Sequence, residues 1–127
     1  MKYFTYKEFD CNGEKLSGKR NMDKQFLMFL DELRARCCFQ FFVTSGWRSE
    51  SHNKKVGGIK GSSHIKGLAA DIAITDSKKR ALFVGHAAEL AHELDLPFRV
   101  GIAGKDKGNF CHIDIDKDKS SPRMWTY

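Results

Sequence analysis

Phe110-Cys111-His112-Ile113-Asp114-Ile115-Asp116 changes character at every step, and its reading decides what kind of sheet the chain builds. Successive side chains of a strand point to opposite faces, so His112, Asp114 and Asp116 share one side and Cys111, Ile113 and Ile115 the other. The apolar side marks the buried face, which turns the His/Asp side toward a cleft or solvent. Leu68-Ala69-Ala70-Asp71-Ile72-Ala73-Ile74 reads as a second strand, with Asp71 and Ala73 on one face and Ala70, Ile72 and Ile74 on the other. A carboxylate buried unpaired in so apolar a strand is costly, so Asp71 wants a metal or a cationic partner.

Outward from these strands the chain alternates helical and extended patterns. Thr5-Tyr6-Lys7-Glu8 has capping-box spacing and opens a short helix through Phe9, and the polar stretch Cys11–Arg20 reads as a loop. From Met22 to about Cys37 the residues Phe26, Leu27, Phe29, Leu30 and Leu33 recur at helical spacing, with Asn21 or Asp23 as cap. Phe39–Thr44 predicts a strand, and Ser49–Val56 one or two helical turns ended by Gly57-Gly58. Asp76 or Ser77 caps a helix to about Leu94, with Leu82, Phe83, Leu90 and Leu94 on its apolar side, and Phe98–Ala103 is a further strand. Helices and strands do not alternate strictly, which predicts an α+β fold: a small, mostly antiparallel sheet flanked by helices.

A chain of 127 residues is one domain's worth, and 41% hydrophobic residues with ten Phe are enough for one packed core. That content excludes the disordered class despite a net charge of +6, from 22 Lys+Arg against 16 Asp+Glu. No apolar stretch approaches the ~20 residues of a membrane span, and the N-terminal stretch carries no apolar region of signal-peptide length. The basic residues are spread along the chain without a nucleic-acid-binding signature, and their charge suits any polyanion: nucleic acid, acidic lipid or an anionic cell-wall polymer. Cys37 and Cys38 are adjacent and no C-x-x-C pair exists, so reduced, mostly buried thiols are expected rather than disulfides or a cysteine zinc ribbon.

Chemistry concentrates around His64, in the Gly/Ser-rich loop Gly61-Ser62-Ser63-His64, and around Asp71 and His112. Two histidines and one carboxylate, with a position left for water, match a catalytic zinc arrangement. His52 more naturally bonds locally. His86 and His92 lie six apart on one helix and share no face, and Leu96 stands where a zinc helix of H-E-x-x-H type would need its second histidine.

Ser62-Ser63-His64-Ile65-Lys66-Gly67-Leu68-Ala69-Ala70-Asp71 resembles the S-x-H-x-x-G-x-A-x-D motif of the D-Ala-D-Ala carboxypeptidase / L-alanyl-D-glutamate endopeptidase family of zinc peptidases, which includes VanX- and VanY-type enzymes and shares its fold with the hedgehog signalling domain. Thr44-Ser45-Gly46-Trp47-Arg48-Ser49 is similar to the family's SGYRS segment, His52–Gly58 to its HN-x-x-VGG, and Phe110–Asp114 to its closing F-[IV]-H-[IV]-D. The ending Pro122…Trp125-Thr126-Tyr127 looks like that of short phage members. The resemblance implies a hedgehog/DD-peptidase-like fold over residues 1–127, one zinc ion held by His64, Asp71 and His112, and Arg48 as the substrate-binding and catalytic arginine. A guanidinium fork suits a carboxylate or a polarised carbonyl, although a salt bridge would also account for Arg48. Ser62 fits a substrate hydrogen bond, or equally a plain turn.

One position departs from the family. Where the family's dipeptidase and endopeptidase branches carry a Glu or Asp general base, three residues before the last histidine, this chain has Asn109. Asp114 is the substitute candidate, with Asp116 and Asp106 behind it, and Asp114 reads equally well as a carboxylate that orients a ligand. The leading expectation is a zinc peptidase cutting peptidoglycan stem peptides, as L-Ala-D-Glu endopeptidase or D-Ala-D-Ala carboxypeptidase. Its setting would be that of a phage endolysin held in host cytoplasm until lysis. It is expected as a monomer whose partner is bacterial peptidoglycan, with neither nucleic acid nor membrane. The alternatives are a catalytically inactive zinc-containing cell-wall or protein-binding module on the same fold, and a basic nucleic-acid-binding domain, which leaves Asp71 and Asp114 unexplained.

Overall fold

Asp23 opens the first long helix by accepting a hydrogen bond from the Phe26 amide at 2.9 Å, as one of the two predicted caps. A computed structural model describes residues 1–127. It contains α1 (Ser17–Asn21), α2 (Lys24–Cys37), β1 (Val43–Ser45), α3 (Glu50–Lys55), β2 (Ala69–Ala73), α4 (Ser77–Glu93), β3 (Arg99–Ala103), β4 (Phe110–Asp114) and β5 (Arg123–Thr126). A 3₁₀ turn at Tyr6–Phe9 precedes them, fixed by Glu8 accepting from the Thr5 amide at 2.7 Å. No helix is long and apolar enough to cross a membrane.

The sheet runs in the order β1-β2-β4-β3-β5, antiparallel at every pairing except β3 with β5. One face carries Ala70, Ile72, Val100, Cys111 and Ile113 into a core shared with Phe26, Leu27, Phe29, Leu30 and Leu33 of α2 and Phe83, Ala87, Leu90 and Ala91 of α4. Burying each large side chain there contributes about 1.5–3 kcal/mol, and this sets which face of the sheet is left for chemistry.

Several expectations need correcting. The Cys11–Arg20 loop contains α1, because the Asp10 carboxylate accepts from the Gly18 amide at 2.8 Å and the Leu16 amide at 3.3 Å and fixes the first turn. Periodicity is blind to a long-range cap of that kind. The strand predicted over Phe39–Thr44 pairs only from Val43 to Ser45. Its aromatic part packs instead, with Phe41 5.5 Å from the Phe83 ring and 5.3 Å from Phe39. On α4 the buried stripe is Phe83, Ala87, Leu90 and Ala91, whereas Leu82 is at the surface and Leu94, past the helix end, is exposed. Strand β5 has no counterpart among the predicted elements. It is an edge strand, mostly exposed, with none of the alternation that announces the others.

The polar side of β4 faces a cleft, as expected, and not open solvent: Asp114 is 1% exposed and His112 8%, and Asp116, just past the strand, 1%. Every one of these groups has a partner, which is the condition for burying it.

Candidate metal and peptidase site

Strand register assembles the site. Ser45, Asp71, His112, Gly101 and Trp125 stand opposite one another across all five strands, and Ala69, Asp114, Arg99 and Arg123 form the neighbouring row. Paired residues share a face, so both rows look out from the side opposite the core. Above them lies a cavity of about 750 Å³, within the range of ligand sites, lined by residues of these rows, the His64 loop, residues 56–59 and the stretch 119–127.

His64 reaches this face from the loop before β2. The loop is held by Trp47 Nε1 donating to the Ile65 carbonyl at 2.9 Å and by Ser63 Oγ donating to Asp116 at 2.7 Å. Its closing residue, Gly67, has φ +72 and sits so close to the Asn21 carbonyl that no side chain fits. Within it the Ser62 hydroxyl accepts from the His64 amide at 3.2 Å, so Ser62 has the turn role and also lines the cavity.

The first imidazole has its proton position set by a backbone carbonyl. His64 Nδ1 donates to the Gly46 carbonyl at 2.8 Å, leaving Nε2 to face Asp71 Oδ1 at 3.3 Å. His112 lies between two carboxylates, Nε2 at 2.7 Å from Asp114 Oδ2 and Nδ1 at 3.0 Å from the same Asp71 oxygen; a metal on Nδ1 would leave its proton on Nε2, toward Asp114. Three donor atoms, from His64, Asp71 and His112, therefore lie within 4.8 Å of one another. All three residues are buried. Nitrogen and carboxylate donors in this combination suit zinc, and the hydrogen bonds behind the two rings orient them for it. The sequence-predicted ligand set thus comes together and fits a metal ion.

Without metal the carboxylate and the rings are held by hydrogen bonds. Burial alone would raise the Asp71 carboxyl, but the hydrogen bonds from His112 and His64 outweigh it and hold it well below the usual carboxylate range. Burial likewise pulls the His112 imidazole down, and its bonds to Asp114 and Asp71 reverse that and leave it raised.

Arg48 takes the salt-bridge form: Nη2 donates to Asp71 Oδ2 at 3.2 Å, Nε to Ser45 at 2.9 Å and Nη1 to Asn53 at 3.1 Å, while the residue still lines the cavity. Asp114 Oδ1 accepts from Arg99 Nε at 2.8 Å and from the Asp116 amide at 3.0 Å, so both of its oxygens are engaged. Asn109 is turned away, its side-chain oxygen accepting from Arg80 at 3.3 Å. Asp106 lies in an exposed turn, and Asp116 is clamped by Ser63 and by Lys66 at 3.0 Å; neither lines the cavity. The cavity carries two carboxylates, Asp71 and Asp114.

A profile of the Peptidase M15 family matches residues 2–114. The chain belongs to that family. The match covers both histidines and the aspartate, and M15 membership supports a metallopeptidase; a buried His-Asp-His group able to hold a metal is what such an enzyme needs. No curated protein matches the chain significantly. Beyond the matched span this M15 chain closes its cavity with β5, whose Trp125 ring lies 5.4 Å from His112 and directly on Gly101.

Sequence reasoning missed Arg99, Lys119 and Arg123 on the cavity wall. Arg99 was within reach: a charge inside Phe98-Arg99-Val100-Gly101-Ile102-Ala103 is the same anomaly that singled out Asp71. Lys119 and Arg123 lie in a polar surface stretch and carry no such signal.

Proposed function

We propose that the chain is a zinc peptidase that hydrolyses peptidoglycan stem peptides, as an L-Ala-D-Glu endopeptidase or a D-Ala-D-Ala carboxypeptidase, in the setting of a phage endolysin. The observation that carries the reading is the convergence of His64 Nε2 and His112 Nδ1 on one Asp71 oxygen, each ring having its other nitrogen committed. Zinc bound by these residues supplies a Lewis acid for the scissile carbonyl and lowers the pKa of water toward ~7.

The protein side of the reaction follows from its own contacts. Arg48 holds Asp71 Oδ2, so that Oδ1 would be the oxygen left for a metal, and its guanidinium, which lines the cavity, would meet a peptide carbonyl or carboxylate there through its remaining N–H groups. Ser62 adds a hydroxyl to the cavity lining. Asp114 acts as a positioning residue: its two oxygens are spent on His112, Arg99 and a backbone amide, so it fixes the tautomer of His112 rather than accepting a proton from water.

A second reading is favoured by the same inventory. No carboxylate lining the cavity is unengaged, and Asn109 cannot serve as a base, which suits a zinc-bearing cell-wall-binding module without catalysis. Mass spectrometry of purified sacculi incubated with the protein, with and without chelator and zinc repletion, separates the two. Chelator-sensitive release of D-Ala, or cuts after L-Ala, supports the peptidase. Zinc bound with no fragments released supports the module.

A further inference from the structure

The wall of the cavity beside the metal ligands is cationic beyond what its own carboxylates neutralise. Arg48, Arg99, Lys119 and Arg123 line it against Asp71 and Asp114. Arg48 pairs with Asp71 and Arg99 with Asp114, which leaves Lys119 and Arg123. Arg123 is exposed and has no acidic partner, its one side-chain hydrogen bond going to Ser120 Oγ at 3.4 Å, and Lys119 reaches Asp116 only at 3.8 Å.

Arg99 is the built part. It is 8% exposed, and it donates through Nε to Asp114 and through Nη1 to the Ser120 carbonyl at 2.6 Å. Its guanidinium carbon lies 5.2 Å from the centre of the Trp125 ring, which fixes the plane of the fork. Nη2 makes no hydrogen bond within the protein and is not sealed from the cavity. A buried, oriented guanidinium with a spare donor, flanked by two further cations, is a recognition element for a carboxylate.

We infer that Arg99, Lys119 and Arg123 form an anion subsite that takes a carboxylate of the peptide substrate, within about two residues of the scissile bond. The inference rests on the peptidase reading above. Register gives the spacing: Arg99 is a diagonal neighbour of His112, about 7–8 Å away across the strand pair, and an extended peptide advances about 3.3–3.6 Å per residue. A metal ion at His64, Asp71 and His112 adds positive charge to the same cavity, so an acidic ligand is favoured from both ends.

The test uses a synthetic stem peptide containing D-Glu, made once with a free α-carboxylate and once as the α-carboxamide. Binding to the zinc-loaded protein is measured by calorimetry and cleavage by mass spectrometry. The free acid should bind about tenfold or more tightly than the amide, and Arg123→Gln combined with Lys119→Gln should erase most of that preference. Arg123 is exposed and Lys119 half-buried, and neither belongs to the hydrophobic core, so the variant keeps its core. Equal binding of acid and amide to the unaltered protein overturns the subsite, even where both are cut and the peptidase reading stands. Acid-selective binding that the double variant loses, with no cleavage of either peptide, keeps the subsite and overturns the peptidase reading. Failure to bind either peptide overturns the subsite.

Discussion

Replacing Asp114 with Asn is the sharpest test of how the site is held. The amide oxygen can keep the bonds from Arg99 Nε and the Asp116 amide, which places the NH₂ group opposite His112 Nε2, now 2.7 Å from a carboxylate oxygen. Two donors would then face each other. His112 relieves this by moving its proton to Nδ1, the nitrogen that points at Asp71 and is needed as a metal ligand. Zinc affinity should fall about 10–100-fold, or about 1.4–2.7 kcal/mol. Arg99 also loses its buried counter-charge while keeping a neutral acceptor. The metal-free protein should therefore lose about 3 kcal/mol, the low end for breaking a buried pair. Competition with a chromophoric chelator reads the affinity, and thermal melting of the metal-free form shows that the variant is folded. A folded Asp114→Asn protein that binds zinc within about twofold of the original yet has lost hydrolysis would refute the positioning role. Asp114 would then be the base.

Stripping zinc should lower the melting point, and restoring free zinc to a hundred times its Kd should return about 2.7 kcal/mol; magnesium, poorly matched to imidazole donors, should return none. Arg48→Lys keeps a charge beside Asp71 but cannot reach Ser45, Asn53 and Asp71 together, so peptide cleavage should drop about tenfold or more in a standard turnover assay. Gly101→Ala drives a methyl group into the Trp125 indole and should cost about 1–3 kcal/mol in denaturant unfolding, much of it recovered by adding Trp125→Leu; an unchanged midpoint in the single variant would rule out that contact. Asp116 has a carboxyl pKa held below its ordinary value, since burial, which raises it, is outweighed by Ser63, Lys66 and the Asp118 amide. Its stabilisation is present above the unfolded pKa near 3.9 and is lost as pH falls through the folded value. Asp116→Asn should thus be less stable at neutral pH, by about 1.5–3 kcal/mol, and show a flatter decline below pH ~4 when metal-free melts are compared.

Much of the site was legible because its residues break local rules. Asp71 inside Ala69-Ala70-Asp71-Ile72-Ala73 is a charge where the pattern demands an apolar group, and His112 and Asp114 lie on one face by simple alternation. Two strands read in this way, together with the motif around His64, brought out the three donor residues. What alternation does not carry is pairing. That Asp114 faces Arg99 depends on the register of β3 against β4, and that the His/Asp face is covered rather than open depends on β5. Strand β5 was invisible for a physical reason: exposed on an edge, it needs neither alternation nor a run of β-branched residues to be stable beside β3. The short α1 escaped for another reason, since Asp10 caps it from outside the window in which helical spacing is judged.

The row Ser45–Asp71–His112–Gly101–Trp125 has a kinetic consequence. Two of its members, Asp71 and His112, meet at 3.0 Å although they are 41 residues apart, and no local segment brings them together. The closure of that long loop must precede metal capture, so zinc can reward only chains whose strands have already paired. A slip of a single residue between β2 and β4 would turn Asp71 and His112 to opposite sides and leave nothing to chelate. Metal uptake followed in time during refolding would then serve as a clock for correct strand pairing, marking when the sheet, and not merely the helices, has formed.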